Sequence, residues 1–135
     1  MASDRPTTKI IAGKYKGKIL ELPSLDVTRS SKARLKESLF NVLQFDIIDK
    51  IFIESFAGSG SIGLEAISRG AKRAYFIEKD RNSYQILLKN CKAVEMEKCQ
   101  TVQANTLVQT PLILDFLKSS KDEIVLYVDP PFDYR

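Results

Sequence analysis

The chain has 135 residues, 44% hydrophobic and 28% charged, with a net charge of +4; this is the size and make-up of one globular domain with one core. It contains no histidine, which excludes a Ser-His-Asp triad, a histidine general base and any histidine-containing metal site. No apolar run approaches the roughly 20 residues of a bilayer span, and the polar stretch Met1 to Lys9 lacks the apolar segment of a signal peptide, so a cytoplasmic protein is expected.

The charge is unevenly spread. Residues 1–45 carry nine Lys or Arg against four Asp or Glu, whereas residues 46–135 carry twelve against thirteen. A basic excess confined to the N-terminal third is a candidate surface for a polyanion. The two cysteines, Cys91 and Cys99, lie near a predicted helix and the strand after it, a setting that suits reduced structural thiols.

In chain order, residues 9–22 read as a small β-hairpin with Gly13 and Gly17 flanking its turn. Lys14, Lys16 and Lys18 recur at period two, which in an extended segment projects all three from one face. Pro23 ends the hairpin. A helix follows from about Ser31 to Phe45, N-capped by Ser30 or Ser31, with Leu35, Leu39, Val42 and Leu43 as its apolar stripe. Arg34, Lys36, Glu37 and Asn41 fall off that stripe, free to face solvent or a ligand. Arg29 and Lys32 stand at the helix N-terminus, where the dipole disfavours cations; phosphate would be a fitting partner.

From Lys50 onward, strands and helices alternate. Strands are expected at Ile51–Ser55, Arg73–Ile77, Gln100–Gln103 and Ile124–Val128, with helices at Ser61–Arg69, Arg81–Val94 and Thr106–Lys118. Short apolar strands separated by helices predict an α/β fold with a parallel sheet covered on both faces. Asp46–Lys50 marks the expected boundary between a basic N-terminal hairpin and helix (1–46) and an α/β body (47–135).

Two motifs carry chemistry. Gly58-Ser-Gly60-Ser-Ile-Gly63 follows a predicted strand and opens a predicted helix, the context of a nucleotide-binding glycine loop. Glu78, at the end of the next strand, is 20 residues after Gly58, where a carboxylate accepts ribose hydroxyls. This much suits either a nicotinamide dinucleotide or S-adenosylmethionine. Glu54, before the glycines, would repel a pyrophosphate and suits an ammonium and a sulfonium better. Asn105, after the third strand of the body, is placed either to read an adenine edge or to cap the next helix.

The second motif is Asp129-Pro130-Pro131-Phe132, after the last strand. An exocyclic base amine is a poor nucleophile because its lone pair is delocalised into the ring. Two acceptors aimed at its hydrogens, the Asp129 carboxylate and the Pro130 carbonyl, favour its pyramidal form. Prolines restrict φ and donate nothing, which presets the acceptors, and Phe132 offers a stacking face. The residues alone leave open methylation of a guanine amine, methylation of a DNA or RNA adenine, and a nicotinamide oxidoreductase.

The segments Thr-Arg-Ser-Ser-Lys-Ala-Arg-Leu-Lys-Glu-Ser-Leu-Phe-Asn (28–41), Phe-Ala-Gly-Ser-Gly-Ser-Ile-Gly-Leu-Glu-Ala (56–66), Phe-Ile-Glu-Lys-Asp (76–80) and Asp-Pro-Pro-Phe (129–132) resemble the RsmD family. These are bacterial S-adenosylmethionine-dependent methyltransferases of a guanine N2 in small-subunit (16S) ribosomal RNA. Residues 10–18 also resemble that family's N-terminal hairpin. Ser30 departs from the family's usual proline, and Lys32 and Ala33 are also unusual there.

The resemblance implies a class I, Rossmann-like methyltransferase core (47–135) with a small hairpin and helix extension. A full core of that class has three further strands, so this one reads as truncated after its fourth. By the same resemblance Glu54, Phe56, Gly58 and Gly60 line the methionine end of the cofactor, Glu78 holds its ribose, and Asn105 meets its adenine edge. Asp129, Pro130 and Phe132 receive the base, with Asp129 also near the cofactor. Arg29, Lys32 and Arg34, with Lys14, Lys16 and Lys18, approach cofactor and RNA. The implied partner is 16S rRNA, the small subunit or an assembly intermediate, bound by a monomer that uses neither metal nor membrane.

Overall fold

The computed structural model describes residues 6–23 and 29–130, with residues 29–33 described by their backbone alone. Strands β1 (Thr7–Lys9) and β2 (Ile19–Glu21) form an antiparallel pair in which Thr8 faces Leu20. Helix α1 (Arg29–Leu43) runs into a 3-10 turn at Gln44–Ile47. The body then alternates β3 (Ile51–Ser55), α2 (Ser61–Ser68), β4 (Arg73–Glu78), α3 (Arg81–Val94), β5 (Cys99–Gln103), α4 (Thr106–Leu117) and β6 (Ile124–Val128).

The four body strands make one parallel sheet in the order β5-β4-β3-β6. All five residues of β3 are buried, as a central parallel strand covered on both faces should be. Successive crossovers through α2 and α3 step from β3 to β4 to β5. The crossover through α4 returns past both to place β6 on the other side of β3. Strand order therefore reverses between β3 and β6, and in open α/β sheets ligands bind beyond the carboxyl ends of the strands at that point.

Strand alternation divides the core in two. Phe52, Ala74 and Phe76 pack on one face with Leu64, Leu87, Phe40, Ile10 and Leu20. Ile51, Ile53 and Ile77 pack on the other with Ile113 and Leu117 of α4. Helix α3 buries Leu87, Asn90 and Cys91, one stripe at i, i+3 and i+4, and Asp80 caps it by accepting from the Ser83 amide at 2.9 Å. Cys91 and Cys99 are free and buried. The hydrogen bond with Cys99, then burial, pushes the Cys91 thiol far above its ordinary range.

Three readings of the N-terminal third change. Residues 14–17 form a turn rather than an extended strand: the Lys16 amide donates to Gly13 O at 3.2 Å and the Lys18 amide to Tyr15 O at 3.0 Å. Lys14, Lys16 and Lys18 are all exposed, but on a loop whose backbone curls, so period two does not align them. In α1, Val42 is 80% and Leu35 43% exposed while Lys36 is only 2% exposed beside a fully buried Phe40. The helix turns a different face inward because an acidic partner waits there. Ser30 and Ser31 lie inside α1, which begins at Arg29, so neither is its N-cap.

That acidic partner is Glu65 of α2, fully buried. Its carboxylate accepts from the Ile11 amide at 2.8 Å, the Ala12 amide at 3.1 Å and Arg69 Nε at 2.8 Å, and lies 3.6 Å from Lys36 Nζ. Lys36 also donates to Lys9 O at 3.0 Å, and the Arg69 guanidinium covers the Phe40 ring at 4.9 Å. Burial holds the Lys36 ammonium below its ordinary range, opposed by the Glu65 charge. One buried carboxylate thus ties the hairpin loop, α1 and α2 together. Asn90 does the same for α3, accepting from the Glu21 amide and donating to Glu21 O and Ser59 O, each within 3.0 Å.

Candidate functional site

The glycine loop spans the gap from the end of β3 to α2. Gly58 and Gly60 both adopt left-handed backbone, with φ of +56° and +82°, the conformation that favours glycine. They differ in surroundings: a side chain at Gly60 would strike Leu87, whereas one at Gly58 would meet nothing within 4 Å. Gly58 borders open space at the carboxyl end of β3, which is where a ligand approaches. Gly63 is required for room, since a Cβ there would strike the Phe76 ring. Phe56 has φ of +59°, a costly conformation for a bulky residue and one that tends to persist at functional sites.

Two carboxylates hold this loop. Glu78 Oε1 accepts from the Gly58 amide at 2.7 Å, and Oε2 from the Asp80 amide at 2.8 Å. The 20-residue spacing seen in the sequence is thus closed by a hydrogen bond. Glu54, 3% exposed, accepts from the Gly63 amide at 2.9 Å. Gly63 lies in the first turn of α2, so the carboxylate occupies the anion-attracting end of the helix.

This arrangement separates the two cofactor readings. A dinucleotide places its pyrophosphate on the helix N-terminus after the glycine loop, and here Glu54 already fills that place with negative charge. A ligand with positive charge near Glu54 and hydroxyls near Glu78 matches the donor set. Each Glu78 oxygen retains a second lone pair for a hydroxyl.

Asp129 and Pro130 directly follow β6 at the switch point, Asp129 half-buried and Pro130 exposed. Glu54 and Tyr127 are partners in the β3–β6 register, which brings the Glu54 and Asp129 ends of adjacent strands together. Asn105 is exposed and its Oδ1 accepts from the Leu107 amide at 2.9 Å, capping α4. Arg34 is exposed on α1. Arg29 and Lys32 are described in backbone only, and Phe132 lies outside the described residues. Sequence reasoning missed the Lys36–Glu65–Arg69 cluster; the acidic residue in the midst of the otherwise apolar Ile62–Ile67 run was its one visible sign. It also missed the Ser55–Thr110 hydroxyl contact of 2.8 Å.

A family described as Conserved hypothetical protein 95, the RsmD family, matches residues 8–135. The chain belongs to this family. Ribosomal RNA small subunit methyltransferase D of Haemophilus influenzae is 38% identical over 130 residues, covering 94% of this chain, and its Escherichia coli counterpart 36% over 125 residues, covering 92%. The chain spans 65% and 60% of the length of those two relatives. The solved structure of the Escherichia coli protein yhhF superposes with a TM-score of 0.74 at 35% identity, covering 95% of this chain and 66% of that one. A Thermus thermophilus hypothetical protein superposes at 0.72 with 27% identity, covering 94% and 71%. The fold is thus the Rossmann-like one expected for the RsmD family, and no helix among the described residues is long and apolar enough to cross a membrane.

Proposed function

We propose that this chain is the cofactor- and base-binding part of an S-adenosylmethionine-dependent methyltransferase that modifies a guanine N2 in 16S rRNA. The observation that carries the reading is the buried Glu54 carboxylate on the first turn of α2, beside a glycine loop latched to Glu78. That pattern accepts a cationic, ribose-bearing ligand and resists a pyrophosphate. The curated relatives named ribosomal RNA small subunit methyltransferase D support the substrate class.

In this reading Glu54, Phe56, Gly58 and Gly60 surround the methionine end, Glu78 takes the ribose hydroxyls and Asn105 faces the adenine. When bound, S-adenosylmethionine supplies an electrophilic methyl group. The chain supplies orientation: the Asp129 carboxylate and the Pro130 carbonyl accept the two amine hydrogens of the guanine, and Phe132 stacks on its ring. Holding the amine in place before reaction removes much of the entropic barrier, and preset acceptors stabilise charge developing on nitrogen. Asp129 is also close to the cofactor. Lys14, Lys16, Lys18, Arg29, Lys32 and Arg34 contact RNA phosphates, with Arg29 reaching towards the cofactor as well. The basic hairpin and helix (1–46) serve as the RNA-facing part and 47–135 as the catalytic core. The protein acts in the cytoplasm as a monomer, without a metal, on 16S rRNA or a small-subunit particle.

Calorimetry with S-adenosylmethionine and with NAD tests the cofactor: binding of NAD alone overturns the proposal. Labelled methyl incorporation into purified small subunits, naked 16S rRNA and DNA tests the substrate. Asp129→Ala should abolish transfer while leaving cofactor affinity nearly intact.

A further inference from the structure

We propose that the cavity between β4 and the last turn of α4 is a binding site for a nucleoside phosphate, with the Arg73 guanidinium on the phosphate and the Phe116 and Tyr75 rings on the base. This second site lies at the opposite end of the sheet from the glycine loop and stands apart from the methyltransferase reading.

Ile51 and Arg73 open β3 and β4 and are partners in register, so the cavity beside them is at the amino ends of the strands. Gly58 and Asp129 follow the carboxyl ends. Arg73 and Tyr75 stand two apart on β4 and share a face, the one covered by α4, since Tyr75 packs on the cluster that holds Leu117. Between that face and the end of α4 is a cavity of about 260 Å³, lined also by Lys72, Phe116, Ser120 and Asp122. Pockets that enclose whole drug-sized ligands run to roughly 300–1,000 Å³, so this one takes a single nucleotide unit rather than a dinucleotide.

Lys72 and Asp122 are committed to each other. Lys72 Nζ donates to both carboxylate oxygens, at 2.9 and 3.0 Å, and the Ser120 hydroxyl donates to one of them at 3.0 Å. Their charges cancel, whereas the Arg73 guanidinium makes no ion pair among the described residues. One positive charge is left over, on a planar fork that fits a phosphate. Phe116 is 75% exposed and Tyr75 half-buried, which gives a planar ring two aromatic neighbours. The carbonyl end of α4 disfavours an anion over its last turn. The phosphate therefore goes to the β4 side, on Arg73, and the base to the Phe116 side. The lysine turn is at this same end, its Lys14 amide donating to Ser68 O at 2.8 Å where α2 ends. Cations on two sides favour a nucleotide, free or within an RNA strand, over other aromatic anions.

Amide NMR shifts of the 135-residue chain, titrated with guanosine 5′-monophosphate, inorganic phosphate and a short oligoribonucleotide, test the site. The mononucleotide should give saturable shifts centred on residues 72–75 and 116–122. It should bind at least about tenfold more tightly than phosphate, because stacking adds to the ion pair. Arg73→Gln and Phe116→Ala, both at exposed positions, should each weaken it about tenfold with an unchanged thermal melt. Tighter binding of the oligoribonucleotide at the same residues identifies an RNA strand as the source, and equal affinity identifies the free nucleotide. Absence of saturable shifts, shifts confined to the glycine loop, phosphate binding as tightly as the nucleotide, or variants that bind like the parent overturn the proposal. Failure to bind S-adenosylmethionine would instead refute the methyltransferase reading and leave these shifts to decide the second site.

Discussion

Glu54 and Gly63 are joined by a hydrogen bond of 2.9 Å that ties the end of β3 to the first turn of α2. The carboxylate satisfies a helix amide that has no partner within the helix, and it places negative charge beside the glycine loop. Glu54→Ala should cost about 1–3 kcal/mol in urea unfolding, since the Gly63 amide would be buried unpaired. Glu54→Gln keeps an acceptor and should recover most of that stability, yet bind S-adenosylmethionine at least about tenfold more weakly for want of the charge. Gly63→Ala should cost about 1–3 kcal/mol by pressing a methyl into the Phe76 ring.

The Glu65 cluster makes a second prediction. Glu65→Ala removes the acceptor for two hairpin amides and Arg69, and the counter-charge of buried Lys36. Loss of one member of a buried charge network typically costs about 3–5 kcal/mol. Lys36→Met should cost less, because Glu65 keeps Arg69 and both amides while the new side chain fills similar space. Urea midpoints of the two variants decide the order; a milder Glu65→Ala would contradict the role of Glu65 as the clamp.

The exposed lysine turn should govern affinity for RNA without affecting the fold. Replacing Lys14, Lys16 and Lys18 with Gln removes three exposed charges. Each lost phosphate contact should reduce the slope of log K against log salt by about 0.7 for single-stranded RNA. A salt titration by fluorescence anisotropy should show a slope smaller by about 2, with calorimetric cofactor affinity unchanged.

Tyr15 carries a pH-dependent contribution to stability. Its hydroxyl donates to Glu95 Oε1 at 2.6 Å, and this bond, then burial, raises its pKa above 10.0. Because the folded value exceeds the unfolded one, the stabilisation is complete below pH 10.0 and is lost as pH climbs through the folded value. Urea midpoints measured between about pH 8 and pH 11 should fall less steeply in Tyr15→Phe than in the parent.

The body of the fold was legible because its signals are local. Ile51–Ser55, Arg81–Val94 and Ile124–Val128 form the elements expected, residue for residue, since apolar runs bounded by loops leave little choice. Helix α1 misled for a physical reason. A periodicity argument treats every lysine as solvent-facing, but Lys36 gains a buried carboxylate 29 positions away, which no local window contains.

By itself the sequence determined the alternating α/β body, the glycine loop with its acid at Glu78, and the Asp-Pro-Pro-Phe strand end, because each is written in consecutive or regularly spaced residues. Tertiary structure alone decided that Glu54 neutralises the start of α2, that Lys36 turns inward to Glu65, and that Asn90 of α3 bonds to Glu21 and Ser59. Those three relationships join distant positions through sheet register and helix packing, and long-range pairing is settled only when the whole core closes.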